Sequence, residues 1–96
     1  MKAQIFNANG WINSVDAELI KNYFNGLLAN SGFTTLNYQE HNFSPFGFTG
    51  LWLLSESHFA VHTFPEENKS YIELSSCNYE FYEIFKSECS LFWHCW

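Results

Sequence analysis

Apolar side chains recur at helical spacing in the first third of the chain. Between Ser14 and Gly32 they fall three and four residues apart, which places them on one face of a helix. This stripe consists of Leu19, Ile20, Tyr23, Phe24, Leu27 and Leu28. Ser14 is a suitable N-cap, Asp16 and Glu18 add negative charge in the first turn, and Gly32 suits the end. The pattern predicts a helix between Ser14 and Gly32.

The segments on both sides of this helix favour strands. Residues 3–8 form a predicted first strand that ends at the turn NANG, and residues 33–43 form the next strand. After the turn SPFG, the segments FTGLWLLSES and HFAVHTF predict two strands, or one long strand with a break near Ser57. The turn PEENKS separates them from YIELSSC, in which polar and apolar positions alternate as in a further strand.

The last predicted element is a short helix in YEFYEIFKSEC, with Phe81, Ile84 and Phe85 on one face. The resulting order β-α-β-β-β-β-α indicates an α+β fold, with an antiparallel sheet that carries helices on one face. The other face of the sheet should also be apolar and would need a second sheet against it. Residues 1–96 are expected to form a single domain.

Composition adds an expectation about assembly. The chain is 47% hydrophobic and 21% aromatic, which is more apolar surface than a small monomer can easily bury. Some of the aromatic side chains are therefore expected at a subunit interface or against a ligand, and the protein is expected to be an oligomer.

Charge and cysteine content exclude several classes of protein. The formal net charge is −6, with four scattered lysines and no arginine, so no basic patch for nucleic acid can form. The N-terminus has no apolar segment typical of a signal peptide, and no stretch reaches the roughly 18 apolar residues of a membrane span. Three irregularly spaced cysteines argue against a disulfide scaffold, so we expect a cytoplasmic protein.

The segment LLSESHFAVHTF, residues 53–64, places two serines, a glutamate and two histidines in predicted strands. His58 and His62 have helical zinc-ligand spacing, but the segment favours a strand, and a third ligand would have to come from Cys77 or Cys89. Hydrolysis with Ser55 or Ser57 as the nucleophile is disfavoured, because the sequence has no G-x-S-x-G turn. A pyridoxal cofactor is also disfavoured, because each lysine lies in polar surroundings unsuited to forming a Schiff base with it. Taken singly, each residue also has an ordinary structural role.

Taken together, these residues resemble the short prokaryotic S-adenosylmethionine decarboxylases. In that family a glycine-rich turn leads into an apolar strand, followed by S-E-S-H, by H-T-[WF]-P-E and by a cysteine about ten residues later. The corresponding pieces lie at Gly47–Gly50, Ser55–His58, His62–Glu66 and Cys77, in the same order and with the same spacing. Phe64 stands where tryptophan is common, and the segment CSLFWHCW at residues 89–96 is unlike the family.

The resemblance implies an inactive proenzyme that cuts its own backbone between Glu56 and Ser57, giving chains 1–56 and 57–96. A pyruvoyl group would replace Ser57 and serve as the cofactor, forming a Schiff base with the substrate. Cys77 matches the family's proton donor, a role that suits a thiol of near-neutral pKa. No metal is implied.

Further roles follow from the same resemblance. His62 and Thr49 match residues that assist self-processing, Phe43 would stack on adenine, and Glu66 would bind the ribose hydroxyls. In the family two protomers pack sheet against sheet into an αββα sandwich, so these four residues would act on the partner chain of a homodimer. His58 belongs to the motif but receives no role.

The implied activity is decarboxylation of S-adenosylmethionine to the aminopropyl donor for spermidine synthesis. Pyruvoyl-dependent decarboxylation of ornithine or arginine on the same scaffold is an alternative. A non-enzymatic alternative is an uncleaved homologue that binds a ligand or regulates an active decarboxylase. In the C-terminal segment, Trp93 and Trp96 are expected to cap the core, with metal binding by His94 and Cys95 as the alternative.

Overall fold

A computed structural model describes residues 3–89 and contains one antiparallel sheet of five strands in the order β1-β5-β4-β3-β2. The strands β2 to β5 follow one another as neighbours, and the first helix carries the chain from β1 at one edge to β2 at the other. The elements in chain order are β1 (Phe6–Ile12), α1 (Ala17–Ser31), β2 (Thr35–Asn42), β3 (Phe48–Leu54), β4 (Ser57–Phe64), a 3₁₀ turn (Pro65–Glu67), β5 (Lys69–Ser76) and α2 (Tyr79–Glu88). The predicted α+β class and element order are confirmed, and HFAVHTF is a strand separate from FTGLWLL.

Helix α1 begins two residues later than the sequence pattern suggests. Asp16, rather than Ser14, is the N-cap, and its side chain accepts a hydrogen bond from the Leu19 backbone N–H. Ser14 instead accepts from the Asp16 N–H, so both polar side chains stabilise the approach to the helix. At the other end Gly32 has φ 111°, and a Cβ there would lie 2.5 Å from the Phe81 ring, so glycine is required.

The helices cover one face of the sheet and bury its core. The buried side chains come from both helices and from four strands, with Phe24, Phe59 and Phe85 in mutual ring contact at its centre. Within the predicted α1 stripe, Ile20, Phe24, Leu27 and Leu28 are buried, Tyr23 is partly buried, and Leu19 is 44% exposed.

The first strand corrects the predicted boundaries at residues 3–8. Asn9 and Gly10, which had indicated a turn, lie within β1, because seven consecutive residues of that strand pair with β5. Gly10 is buried on the helix side of the strand, and Asn9 is exposed on the opposite side. The tertiary pairing therefore overrides a local turn signal.

The face of the sheet away from the helices, called the open face below, is mixed rather than uniformly apolar. It exposes hydrophobic side chains, including Leu51 and Leu53, but it also carries polar ones, including His58 and Glu73. The predicted apolar character of this second face is therefore confirmed only in part. The predicted roles of Trp93, Trp96, His94 and Cys95 fall outside the described residues.

No helix described between residues 3 and 89 is long and apolar enough to span a membrane.

A small polar network ties α1 to the edge strand β2. Lys21 Nζ lies 3.1 Å from Glu40 Oε1 and 2.9 Å from Glu18 Oε2. Glu40 also accepts hydrogen bonds from the Tyr38 hydroxyl at 2.7 Å and the Asn42 amide at 3.0 Å. These hydrogen bonds, led by that of Tyr38, lower the pKa of Glu40 to about 2.

The lowered pKa of Glu40 predicts a specific pH dependence of stability. The contribution of its carboxylate is fully present above the ordinary pKa of 4.5 and is lost as the pH falls from there towards 2. We expect Glu40→Gln to be less stable than wild type at neutral pH, with the difference shrinking steadily below pH 4.5. Urea unfolding at several pH values measures this, with Glu80→Gln on α2 as a control. A difference that stays constant down to pH 2 would contradict the network's role.

Candidate functional site

The bond between Glu56 and Ser57 lies in the two-residue turn that joins β3 to β4. Leu54 and Ser57 pair across the turn, and the Ser55 N–H donates to the Thr34 carbonyl at 3.0 Å. Glu56 has φ 63°, in the left-handed region that costs a residue with a side chain about 1 kcal/mol. The backbone on the N-terminal side of this bond is therefore held in an unfavourable conformation by the pairing of the strands on either side.

Ser57 points to the helix side of the sheet and is buried. Its hydroxyl donates to Ser76 Oγ at 2.8 Å, directly across the strand pair. Ser76 Oγ also accepts the Asn78 backbone N–H at 2.9 Å, and Asn78 is the N-cap of α2. Ser76 was not among the site residues predicted from the sequence. The alternation of β5, with buried Ile72 and Leu74, was the signal that places it on the buried face.

Cys77 follows β5 and lies beside the same turn. Its Sγ atom is 3.5 Å from both the Glu56 carbonyl oxygen and Glu56 Oε1. Partial desolvation of the sulfur raises the pKa of Cys77, and the Glu56 carboxylate raises it further because it disfavours a second negative charge. The expectation of a near-neutral pKa for Cys77 is therefore wrong for the uncleaved chain. The thiol is protonated at neutral pH and can still donate a proton.

Thr49 and His62 face each other on the open face. Thr49 Oγ1 lies 3.1 Å from His62 Nδ1, and the two residues are register partners on β3 and β4. Depending on the ring tautomer, the hydroxyl donates to Nδ1 or accepts from it. On the other side of His62 lies the Tyr71 ring, stacked at a centroid distance of 6.3 Å. This arrangement fixes the imidazole between a hydroxyl and an aromatic ring.

Phe43 and Glu66 are both exposed near this histidine end of the sheet. The Phe43 N–H donates to the Gly47 carbonyl at 2.8 Å, and its ring contacts the His41 ring edge-on at 4.6 Å. Glu66 lies in the 3₁₀ turn that follows β4. An exposed ring and an exposed carboxylate at one end of the sheet are groups that can contact a purine and a ribose.

The strand register separates the predicted site residues into two groups. Glu56, Ser57 and Cys77 lie at the end of the sheet where β3 turns into β4. His62 lies five residues from Ser57 along β4, a separation of about 17 Å at the rise of an extended strand, and Thr49 lies beside His62 on β3. Phe43 and Glu66 belong to this second group, because they flank the ends of β3 and β4 that carry it. No side chain of the second group can therefore reach Ser57 of its own chain.

The open face also has a hollow beside the second group. It has a volume of about 210 Å³ and lies over β2 and β3, where Thr49 contributes to its wall. Its other lining residues are Gln39, Glu40, His41 and Leu51.

The alternative of a metal site is not supported by the geometry. His58 and His62 share the open face, but neither has a cysteine or an acidic residue as its register partner. His58 pairs with Leu53 and Ser75, and His62 pairs with Thr49 and Tyr71. Cys89 is buried on the opposite side, beneath the helices. Within residues 3–89, no group of three or more histidine, cysteine or acidic side chains could hold a metal ion.

Comparison with known proteins gives a consistent family. The sequence profile of the S-adenosylmethionine decarboxylase family matches residues 10–92. A protein named S-adenosylmethionine decarboxylase proenzyme 2 from Bacillus cereus is 47% identical over 47 residues, which cover 49% of this chain and 38% of the relative. The S-adenosylmethionine decarboxylase proenzyme of Symbiobacterium thermophilum is 38% identical over 64 residues, or 67% of this chain and 48% of the relative. The chain thus covers less than half of either relative.

A solved structure supports the fold. The adenosylmethionine decarboxylase from Aquifex aeolicus VF5 superposes with a TM-score of 0.70, covering 91% of this chain and 81% of that protein, at 21% sequence identity. At this identity the similarity shows that the sheet and its helices share one fold.

The contact between Cys77 and Glu56 generates a prediction about thiol reactivity. In a Ser57→Ala background, which lacks the Ser57 hydroxyl, Glu56→Gln should lower the pKa of Cys77 because it removes the negative charge beside the sulfur. We expect the pH midpoint of Cys77 alkylation by iodoacetamide, followed by peptide mass spectrometry, to move to lower pH.

The matched control is Glu73→Gln, which neutralises an open-face carboxylate on β5 that pairs with Ala60 instead of lying beside Cys77. Its midpoint should equal that of the Ser57→Ala background. An unchanged midpoint in Glu56→Gln, or an equal shift in Glu73→Gln, would show that Glu56 does not control the thiol.

Proposed function

Because the chain belongs to the S-adenosylmethionine decarboxylase family, we propose that it is made as a proenzyme that cleaves itself between Glu56 and Ser57 and then decarboxylates S-adenosylmethionine. The products of cleavage are chains 1–56 and 57–96, and the second chain begins with a pyruvoyl group derived from Ser57. The decarboxylated product is the aminopropyl donor for spermidine synthesis. The proposal includes a reducing, cytoplasmic location, since Cys77 must remain a free thiol.

The observation that carries this proposal is the placement of Cys77 against the Glu56–Ser57 turn. The residue with the nucleophilic hydroxyl, the preceding carbonyl and the proton-donating thiol converge there, with Sγ 3.5 Å from the Glu56 carbonyl oxygen. Glu56 is in a left-handed conformation, and the Ser57 hydroxyl is hydrogen-bonded within the fold. These features fit a site that generates its own pyruvoyl group, because that chemistry needs only a serine, its preceding carbonyl and water.

A pyruvoyl group supplies an electron-accepting carbonyl for amino-acid decarboxylation. The chain's own residues supply the rest. Cys77, protonated at neutral pH because its pKa is raised, returns a proton to the substrate carbon. Phe43 stacks on the adenine ring, and Glu66 accepts hydrogen bonds from the ribose hydroxyls. His62, held by Thr49, assists the release of the Glu56 carboxylate during processing.

The 17 Å gap between the two groups supports an active site built from two protomers, since about five strand residues separate His62 from Ser57 of the same chain. If two open faces pack against each other about a twofold axis that passes midway between these positions on β4, His62 of one protomer lies over the Glu56–Ser57 turn of the other. Ala60 is the open-face residue of β4 nearest that midpoint, with Leu51 and Glu73 as its register partners. Its small side chain permits close approach of two sheets.

Self-cleavage gives the first test of this function. The intact mass of the denatured protein should show chains 1–56 and 57–96, the second with an N-terminus blocked to Edman degradation. Ser57→Ala should remain a single chain of 96 residues because it lacks the hydroxyl. Cleaved protein should then release CO₂ from S-adenosylmethionine labelled in its carboxyl group. Wild-type protein that stays intact on long incubation, or cleaved protein that prefers ornithine or arginine, would contradict the proposal.

Co-expression tests whether His62 acts across the dimer. His62→Ala alone should cleave at least about 100-fold more slowly than wild type, because a processing acid–base group is missing. When it is co-expressed with differently tagged Ser57→Ala, the His62→Ala chain should cleave, since its partner supplies His62.

The control partner is the double variant Ser57→Ala with His62→Ala, which supplies neither group and should leave the His62→Ala chain intact. Introducing Ala60→Arg into both co-expressed chains should abolish the rescue by separating the open faces. An isolated heterodimer in which the His62→Ala chain stays uncut would show that His62 does not act in trans.

A further inference from the structure

The hydroxyl that must attack the Glu56 carbonyl is already engaged in the intact chain. Ser57 Oγ donates to Ser76 Oγ at 2.8 Å, and Ser76 itself is only 1% exposed. Within residues 3–89, Ser76 is the hydrogen-bond partner found for this hydroxyl. In surroundings from which water is excluded, such a bond is stronger than on the surface and restricts rotation of the Ser57 side chain.

Ser76 is itself held in place by the start of α2. Its Oγ accepts the Asn78 backbone N–H at 2.9 Å and lies 3.5 Å from the Asn78 carbonyl oxygen, to which it can donate. The Asn78 side chain accepts from the Phe81 N–H and so fixes the first turn of the helix. The position of Ser76 Oγ is therefore set by a backbone segment rather than by a mobile side chain.

We propose that Ser76 positions the Ser57 hydroxyl for the self-cleavage step, an inference that rests on the proposed function above. Because the hydroxyl proton points to Ser76, the lone pairs of Ser57 Oγ are left free for attack on the Glu56 carbonyl carbon. As the new C–O bond forms, the hydroxyl becomes more acidic, and its bond to Ser76 strengthens in the transition state. Ser76 thus acts on the acyl shift, the step that precedes the elimination assigned to His62.

The atoms balance without any reagent except water. Ser57 Oγ forms a bond to the Glu56 carbonyl carbon, the C–N bond breaks, and the hydroxyl proton passes to the released amine. Elimination then removes the Cα proton of residue 57, which His62 accepts, and breaks the Cβ–Oγ bond, so Oγ leaves in the new carboxylate of Glu56. Water hydrolyses the remaining enamine to the ketone and releases ammonia. Because Oγ departs, Ser76 no longer has the Ser57 hydroxyl as a hydrogen-bond partner in the mature enzyme.

This chemistry gives Ser76 a signature that a merely structural residue lacks. Its substitution should slow the formation of the ester, but chains that have cleaved should turn over substrate at the wild-type rate per pyruvoyl group. Hydroxylamine cleaves the ester directly, so cleavage in its presence reports the acyl shift separately from the elimination.

The experiment compares self-cleavage of freshly purified wild type, Ser76→Ala, Ser76→Thr and Ser70→Ala by intact mass, with and without hydroxylamine. Ser70 is the matched control, because it lies on β5, is also fully buried, and donates to a backbone carbonyl of the Ser14 loop at 2.6 Å. We expect Ser76→Ala to slow cleavage about tenfold under both conditions, since a buried hydroxyl loses its partner. Ser76→Thr should remain within about threefold of wild type because it keeps the hydroxyl, and Ser70→Ala should cleave at the wild-type rate.

The outcomes separate this inference from the function on which it rests. Wild-type protein that never cuts overturns both proposals. Wild-type protein that cuts while Ser76→Ala cuts equally fast, or faster, overturns the role of Ser76 alone. If Ser76→Ala does not unfold cooperatively, Ser76→Cys replaces it, because the thiol keeps the volume and is a weak acceptor. A wild-type cleavage rate in that variant is equally decisive against the inference.

Discussion

The register of β4 between β3 and β5 determines the position of every candidate functional residue. Side chains of a strand alternate between its faces, so residues an odd number apart point in opposite directions. Ser57 and His62 are five apart, and accordingly Ser57 is buried beneath the helices whereas His62 lies on the open face. A shift of one residue would expose Ser57 and bury His62 without a partner. The hydrophobic pattern Phe59–Val61 against the helices prevents that shift.

Ser57 and His62 are tolerated in this strand because each is hydrogen-bonded to a register partner on the neighbouring strand. Thr49 is hydrogen-bonded to His62, and Ser57 is hydrogen-bonded to Ser76, so none of these three hydroxyls is left without a hydrogen bond. The same pairing also confines the unfavourable backbone conformation to Glu56 at the turn. The sheet is therefore both the scaffold and the source of the local geometry that the proposed chemistry requires.

Much of the fold could be predicted from the sequence, because the periods of α1 and β5 are clear. The boundaries were harder. Ser14 and Asp16 are both good capping residues, and only the hydrogen bond to Leu19 distinguishes them. Asn9 and Gly10 are typical of a turn, and their place in β1 depends on pairing with a strand more than sixty residues away. Local sequence cannot report such a contact.

The site was predicted to a similar degree. The motif identified Ser57, His62 and Cys77, but the distance between them follows from the register of paired strands. The role of Ser76 depends on the same pairing. The raised pKa of Cys77 depends on partial desolvation of the sulfur and on the proximity of Glu56, which is twenty-one residues away in the chain and adjacent in the fold.

The position of the turn at residues 55–56 also determines what holds the two segments of the chain together once the backbone is cut there. The segment before it contributes β1, α1, β2 and β3, and the segment after it contributes β4, β5 and α2. Because β1 pairs with β5 and β3 pairs with β4, neither segment can complete the sheet or the core by itself. Folding must therefore precede any cut at this place. After it, unfolding becomes a dissociation of two chains, so the stability of the fold would depend on protein concentration and would decrease on dilution.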